Sequence, residues 1–213
     1  MVQKNTHIWD TIKMYYYMAL RMLLFLMIIG FFSCSQSPQL QDGDKIVSIE
    51  RNIVTGANGA TLTLSNTAED RTYYLFRHAE KDTVPRSNPV LNTAGYERSY
   101  RLADIFRRTK VDKIYSTFYN RTMHTVDSLA TTKGIATSVY TPGKMRQTAE
   151  EILAADVDKN FVVVGHSNTI PGMVNLLMGE QVLTENIDES IYDDFFIVDI
   201  PAGEEPKLWR FKY

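Results

Sequence analysis

The sequence predicts an α/β fold: a three-layer sandwich whose mostly parallel sheet is flanked by helices, with one β-hairpin added before it and another closing it. Three observations carry this. The runs Thr72-Tyr73-Tyr74-Leu75-Phe76 and Phe161-Val162-Val163-Val164 are continuously apolar or aromatic, as strands covered on both faces are. Segments with apolar residues at helical spacing separate such runs. At both ends of this stretch the pattern changes to short strands joined by turn residues.

In chain order, residues 45–54 alternate apolar and polar positions (Ile46, Val47, Ile49, Ile53), and 60–64 repeat the habit after Gly56-Ala57-Asn58-Gly59, which reads as the first hairpin. Residues 72–76 form a buried strand. Residues 93–108 read as a helix capped by Thr93, with Tyr96, Tyr100, Ala103 and Phe106 recurring on one side. A short strand at 113–116 precedes a helix at 121–132 closed by Gly134. A strand at 137–140 precedes a helix at 145–155. Residues 161–165 are the most apolar strand, followed by a helix at 171–178 ending at Gly179. Strands at 195–200 and 207–211 meet across Ala202-Gly203-Glu204.

The N-terminus carries a different signal. Lys4, Lys13 and Arg21 precede the apolar run 22–32, and Ser33-Cys34-Ser35 follow it. A basic segment, a short apolar core and a small residue form the pattern of an export signal. The run falls short of the roughly 20 apolar residues that a bilayer span needs. Extended back through residues 14–20, it stands as an alternative uncleaved anchor, and Met14, Met18 or Met22 are alternative starts. Cys34 is the single cysteine and cannot form an internal disulfide. Residues 1–33 resemble a bacterial lipoprotein signal, which implies a lipidated Cys34, with 34–44 as a polar tether and 45–213 as the functional domain. The expected location is then the cell envelope, with the membrane as partner through Cys34. Removing the leader leaves about 180 residues, enough for one well-cored domain. The whole chain has a net charge of −2 and no basic tract, which argues against nucleic acid as a partner.

The chemistry concentrates where strands end. Arg77 and His78 directly follow one buried run, and His166 directly follows another. The strand ending at Ser116 leads to Arg121 in the first turn of the next helix. In parallel sheets the carboxyl ends of strands line the ligand crevice, so two imidazoles and two guanidiniums are expected on one rim. Arginine matches the oxygens of a phosphate. Flanking guanidiniums repel a metal cation, and the segments lack the ligands a zinc site takes, so neither metal nor cofactor is expected. A neutral imidazole near two guanidiniums can attack phosphorus and form a phosphohistidine, while the remaining groups hold the shifting charge.

These segments resemble the histidine phosphatase superfamily, the phosphoglycerate mutase-like fold. Leu75-Phe76-Arg77-His78-Ala79-Glu80 is similar to its Arg-His-Gly/Ala-Glu motif, and Leu91-Asn92-Thr93-Ala94-Gly95 to its segment entering the first helix. Ser116-Thr117-Phe118-Tyr119-Asn120-Arg121-Thr122 resembles its Ser-x-x-x-x-Arg segment, and Gly165-His166-Ser167-Asn168 its second-histidine motif. The resemblance runs from about residue 72 to 213. It implies His78 as nucleophile and Arg77, Arg121 and His166 as the other members of a phosphate pocket, with Asn168 as a further substrate donor. His124 reads as structural, and His7 belongs to the leader.

The chain departs from the family at the proton donor. Mutase-type relatives place a Glu after the Arg121 helix, where this chain reads Thr141-Pro142-Gly143-Lys144. Acid-phosphatase relatives place an Asp after the second histidine, where this chain has Ser167. Glu150 and Glu151 are candidates by position but read as a solvated helical face; Glu80 and Asp82 lie near the motif without a family warrant. In this lack the chain resembles the small protein phosphohistidine phosphatases. The expected function is therefore a metal-independent phosphomonoesterase acting through phospho-His78 on an exported or envelope-side substrate. The alternatives are a catalytically weak phosphoryl-ligand-binding lipoprotein and a phosphomutase. Residues 81–90 and 179–194, the longest connections near the motif ends, are expected to roof the site.

Overall fold

The computed structural model describes residues 13–18, 20–21, 38–155 and 160–213. The apolar run 22–32 and Cys34 lie outside the described residues. Residues 13–18 and 20–21 are helical and exposed. Among the described residues, no helix is long and apolar enough to cross a membrane.

Pro38–Tyr213 form one compact unit. Residues 38–44, assigned to the tether from the sequence, lie within it: Leu40 is buried, and the Gly43 N–H donates to the Arg210 carbonyl. The strands of this unit are β1 (Ile46–Glu50), β2 (Ile53–Gly56), β3 (Thr61–Thr63), β4 (Arg71–Arg77), β5 (Lys113–Thr117), β6 (Thr137–Tyr140), β7 (Asn160–Gly165), β8 (Asp194–Ile200) and β9 (Lys207–Lys212). The helices are α1 (Thr93–Ile105), α2 (Asn120–Lys133), α3 (Met145–Leu153) and α4 (Ile170–Met178).

The main sheet runs β6-β5-β7-β4-β8-β9. The strands β6, β5, β7 and β4 are mutually parallel, and β8 and β9 run antiparallel as the expected closing hairpin. Its inner strands are apolar on both faces because both faces are covered. Tyr73 and Leu75 of β4 face a cluster with Ala149 and Ile152 of α3 and Met173, Val174 and Leu177 of α4. Tyr74 and Phe76 face the opposite cluster with Leu102 of α1, Val126 and Leu129 of α2, and Ile46, Ile49 and Val54 of the small sheet. Phe195 stacks on Phe76 at 5.6 Å and meets Tyr213 edge-on at the same centroid distance. Each such ring, taken fully out of water, contributes about 1.5–3 kcal/mol.

Two local readings are corrected. The segment 45–54 is two strands, and with β3 they make a three-stranded antiparallel sheet, β1-β2-β3, in place of a single hairpin. The chain reverses at Arg51-Asn52, with Arg51 in the left-handed region at φ 56°. No glycine or proline announces that turn, and the apolar alternation continues through it. The cap of α1 is Asn92 and not Thr93: the Asn92 Oδ1 accepts from the Gly95 N–H at 3.0 Å. Either residue type can cap a helix; the one whose backbone is still extended does so here.

Gly95 is required by close approach. A Cβ there would lie 2.1 Å from the Glu80 carbonyl oxygen, so α1 can press against the loop leaving β4 only without a side chain. The Asn92 N–H donates to that same carbonyl. Because β5, β7 and β4 are neighbours in the sheet, their carboxyl ends bring Thr117, His166 and His78 to one rim.

Candidate active site

His78 follows the last residue of β4, and its backbone N–H donates to the Gly165 carbonyl at 2.9 Å, extending the β4–β7 ladder by one step. The side chain is buried. Its Nδ1 lies 2.8 Å from the Ala79 carbonyl oxygen, which can only accept, so Nδ1 carries the proton and Nε2 keeps its lone pair. Burial pushes the imidazole down to about 3, with Arg77, His166 and Arg121 acting in the same direction and the Ala79 carbonyl opposing them. The ring is therefore neutral at physiological pH.

His166 follows β7 by one residue. Its Nε2 is 2.9 Å from the Thr117 Oγ1, and an Arg121 Nη2 donates towards its Nδ1 at 3.5 Å. With Nδ1 accepting, Nε2 holds the proton and gives it to Thr117. The Thr117 hydroxyl reaches the Thr122 Oγ1 at 3.0 Å, and the Thr122 hydroxyl donates to the Thr117 carbonyl at 2.8 Å. This chain fixes the ring on the end of β5. Burial, then Arg121 and Arg77, push His166 down to about 4, against an opposing pull from Glu189. The two imidazoles meet edge to face with centroids 5.5 Å apart.

Arg121 enters from the first turn of α2. Its guanidinium lies 4.4 Å over the Tyr119 ring, and Tyr119 in turn packs edge-on against His166 at 5.1 Å. This start of α2 is tied to the 81–90 loop, since the Asn120 N–H donates to the Asn88 Oδ1 at 2.8 Å. His78, Arg121, His166 and Asn168 line one cavity, together with Tyr119 and Glu189. Arg77 is placed differently from the other sequence-predicted members. It is 1% exposed and stands outside the lining of that cavity. Its Nη1 donates to the carbonyls of Asp188, Glu189 and Ile191 at 3.1, 2.9 and 3.0 Å, its Nη2 to the Glu189 carboxylate, and its plane lies 4.3 Å over the Tyr192 ring. Arg77 thus gathers the 188–192 segment over the site while its charge acts on both histidines.

Among the described residues, the buried Nε–H groups of Arg77 and Arg121 have no hydrogen-bond partner. The Arg121 guanidinium, on the cavity wall beside His166, is the donor there that suits an oxyanion.

The remaining candidates fall elsewhere. Glu80 takes two hydrogen bonds from Arg98, at 2.9 and 2.6 Å, and Arg98 donates onward to the Tyr213 carbonyl oxygen. Burial would raise the Glu80 carboxyl, yet the Arg98 bonds prevail and hold it below its usual range. It braces the motif loop against α1 and the C-terminus. Asp82 is exposed and outside the cavity lining, its backbone pairing with Val90 across the loop. Glu150 and Glu151 are exposed on α3, away from the cavity. The His124 Nδ1 pairs with the Tyr96 hydroxyl at 3.1 Å.

Sequence reasoning missed Glu189. Besides Arg77, its carboxylate accepts from the Ser167 hydroxyl. In the sequence it lies among Glu185, Asp188 and Ser190, indistinguishable from an ordinary solvated loop. Only its capture by Arg77, 112 positions earlier, marks it.

Residues 73–143 match the family model described as histidine phosphatase superfamily (branch 1). No curated protein sequence matches the chain. Solved structures share the fold. The protein histidine phosphatase SixA, complexed with tungstate, aligns with TM-score 0.53 at 14% identity over 66% of this chain and 96% of that one. The mycobacterial glucosyl-3-phosphoglycerate phosphatase aligns with TM-score 0.51 at 13% identity over 66% and 97%. A structure described as mycobacterial hydrolase 1 gives 0.51 at 13% identity over 68% and 99%.

Proposed function

We infer that this chain, a histidine phosphatase superfamily protein by the segment and motifs it carries, is a metal-independent phosphomonoester hydrolase that works through a phosphohistidine. The observation that carries the reading is the state of His78: neutral, with its proton committed to the Ala79 carbonyl and its Nε2 lone pair free beside a second imidazole and a guanidinium. Nε2 attacks the phosphorus, the ester P–O bond breaks, and the leaving oxygen departs. Water then attacks the phosphorus, the P–N bond breaks, and phosphate leaves. Arg121 donates to the non-bridging oxygens in both steps, where preorganised donors are worth most, and His166 donates beside it from Nδ1 once that nitrogen takes up a proton with the bound phosphoryl group. The solved relative bound to tungstate, a tetrahedral oxyanion, agrees with this use of the fold.

The test is hydrolysis of an aryl phosphate by the full chain in detergent with excess chelator. Turnover is expected to persist with chelator and to fall by a factor on the order of 10⁶ in His78→Ala, as when other catalytic nucleophiles are removed. Chelator-insensitive turnover that survives His78→Ala would reject the reading.

The substrate is proposed to lie on the exported or envelope side, with the enzyme anchored through a lipidated Cys34. Support comes from the sequence of residues 1–35 alone: basic residues, an apolar run and one cysteine after it. Cys34→Ser should move the chain from the membrane to the soluble fraction of cells; unchanged membrane recovery would favour the uncleaved anchor.

A further inference from the structure

We propose that Glu189 is the proton-transfer residue of this site, donating to the leaving oxygen in the first step and accepting from the attacking water in the second. The inference rests on the phosphohistidine reading and supplies the group that the sequence lacked.

Among the described residues lining the cavity, Glu189 is the sole carboxylate. Its placement is built rather than incidental. One carboxylate oxygen is held by a buried guanidinium and the other by the Ser167 hydroxyl, on the residue after His166. The segment carrying it is fixed as well: Arg77 binds three of its carbonyls, and the Ile187 N–H donates to the Ser167 carbonyl at 3.0 Å. Yet the Glu189 side chain is 76% exposed, so the carboxyl stays open to the cavity and to water. Its charge is felt by His166 and Arg121, the two groups assigned to the phosphoryl oxygens. The other carboxylates near the motif are unsuitable: Glu80 is clamped by Arg98, and Asp82 stands outside the lining.

The proton balance closes. Glu189 enters the first step as the carboxylic acid, beside the phosphoryl group that binds at Arg121 and His166. As the P–O bond breaks, that proton passes to the leaving oxygen and yields the alcohol. The resulting carboxylate takes a proton from water as its oxygen attacks phosphorus and the P–N bond breaks. Phosphate leaves, and Glu189 is again protonated.

The experiment compares two phosphate esters in the full chain, one with a nitrophenol leaving group and one with an alkyl alcohol, for wild type, Glu189→Gln, Glu189→Asp and His78→Ala. Nitrophenolate needs little protonation, so Glu189→Gln should keep a first-turnover burst of about one nitrophenol per chain while later turnovers slow by roughly 10²–10⁴-fold. On the alkyl ester the first turnover itself should fall by that factor, with Glu189→Asp recovering part of both. Three results overturn the inference and leave the phosphatase reading standing: equal first-turnover losses on the two esters, no loss on either, or faster turnover on both. The last would mean that the carboxylate merely occupies the phosphate site. Wild type that turns over neither ester, or His78→Ala that keeps wild-type turnover, removes both the inference and the reading beneath it.

Discussion

The floor of the cavity and its roof are held by opposite means. His78 and His166 sit at the ends of adjacent parallel strands, locked by the ladder, by the Ala79 carbonyl and by the Thr117–Thr122 hydroxyl chain. Each has its proton assigned and little room to turn. The 188–192 segment is neither strand nor helix; Ile191 packs against the core and Ser167 binds the Glu189 carboxylate, but one buried guanidinium binds three of the segment's carbonyls and that same carboxylate. The nucleophile is thus pre-set by strand geometry, whereas the segment above it is gathered chiefly by one long-range side chain, with Ser167 as a second tie. An active site of this construction can keep its attacking atom fixed while its roof changes with little consequence for the sheet.

The largest expected effect follows from cutting the Arg77 tie. Arg77→Met keeps the buried stem but leaves the carbonyls of Asp188, Glu189 and Ile191 without their donor. Orphaned buried acceptors cost about 1–3 kcal/mol each, and relaxation of the exposed segment recovers part of this. A net loss of about 3 kcal/mol in urea denaturation is expected, with faster proteolysis confined to 181–193. A loss spread evenly over the domain, or none, would break the comparison by showing that the roof stands without Arg77.

A smaller effect probes the floor. Both histidines titrate below their ordinary value of 6.5 in the folded state, to about 3 for His78 and about 4 for His166, with burial the first cause. Below pH 6.5 the unfolded chain binds protons that the folded chain refuses, so stability falls as pH falls. Between pH 7.5 and 6 the loss should be just under about 1 kcal/mol for each histidine, and it should continue towards pH 3–4. His166→Asn should reduce the slope by about half over pH 7.5–6. An unchanged slope in this variant would mean that His166 titrates normally, in a wetter floor than described.

The same contrast explains what could be read from the chain. The floor was legible because each part obeys a local rule: buried strands are continuous apolar runs, the helix 120–133 closes at Gly134, and ligand groups follow strand ends. His78, Arg121 and His166 were located by those rules, and the structure brings them to one cavity. The roof was not legible. Whether Arg77 faces the cavity or the covering segment depends on a partner 112 positions away, and an exposed Glu189 carries no periodicity or motif. The reversal at Arg51 escaped for a related reason, since the left-handed conformation there comes without glycine.

The most direct test of the account is to trap the intermediate. The full chain is mixed with an aryl phosphate, quenched in alkali, where phosphohistidine survives, and mapped by mass spectrometry. The account predicts one phosphoryl group, on His78, discharged by continued incubation with water and lost on acid treatment. A phosphoryl group on another residue, or hydrolysis of the ester with no phosphorylated His78 at any quench time, would contradict it.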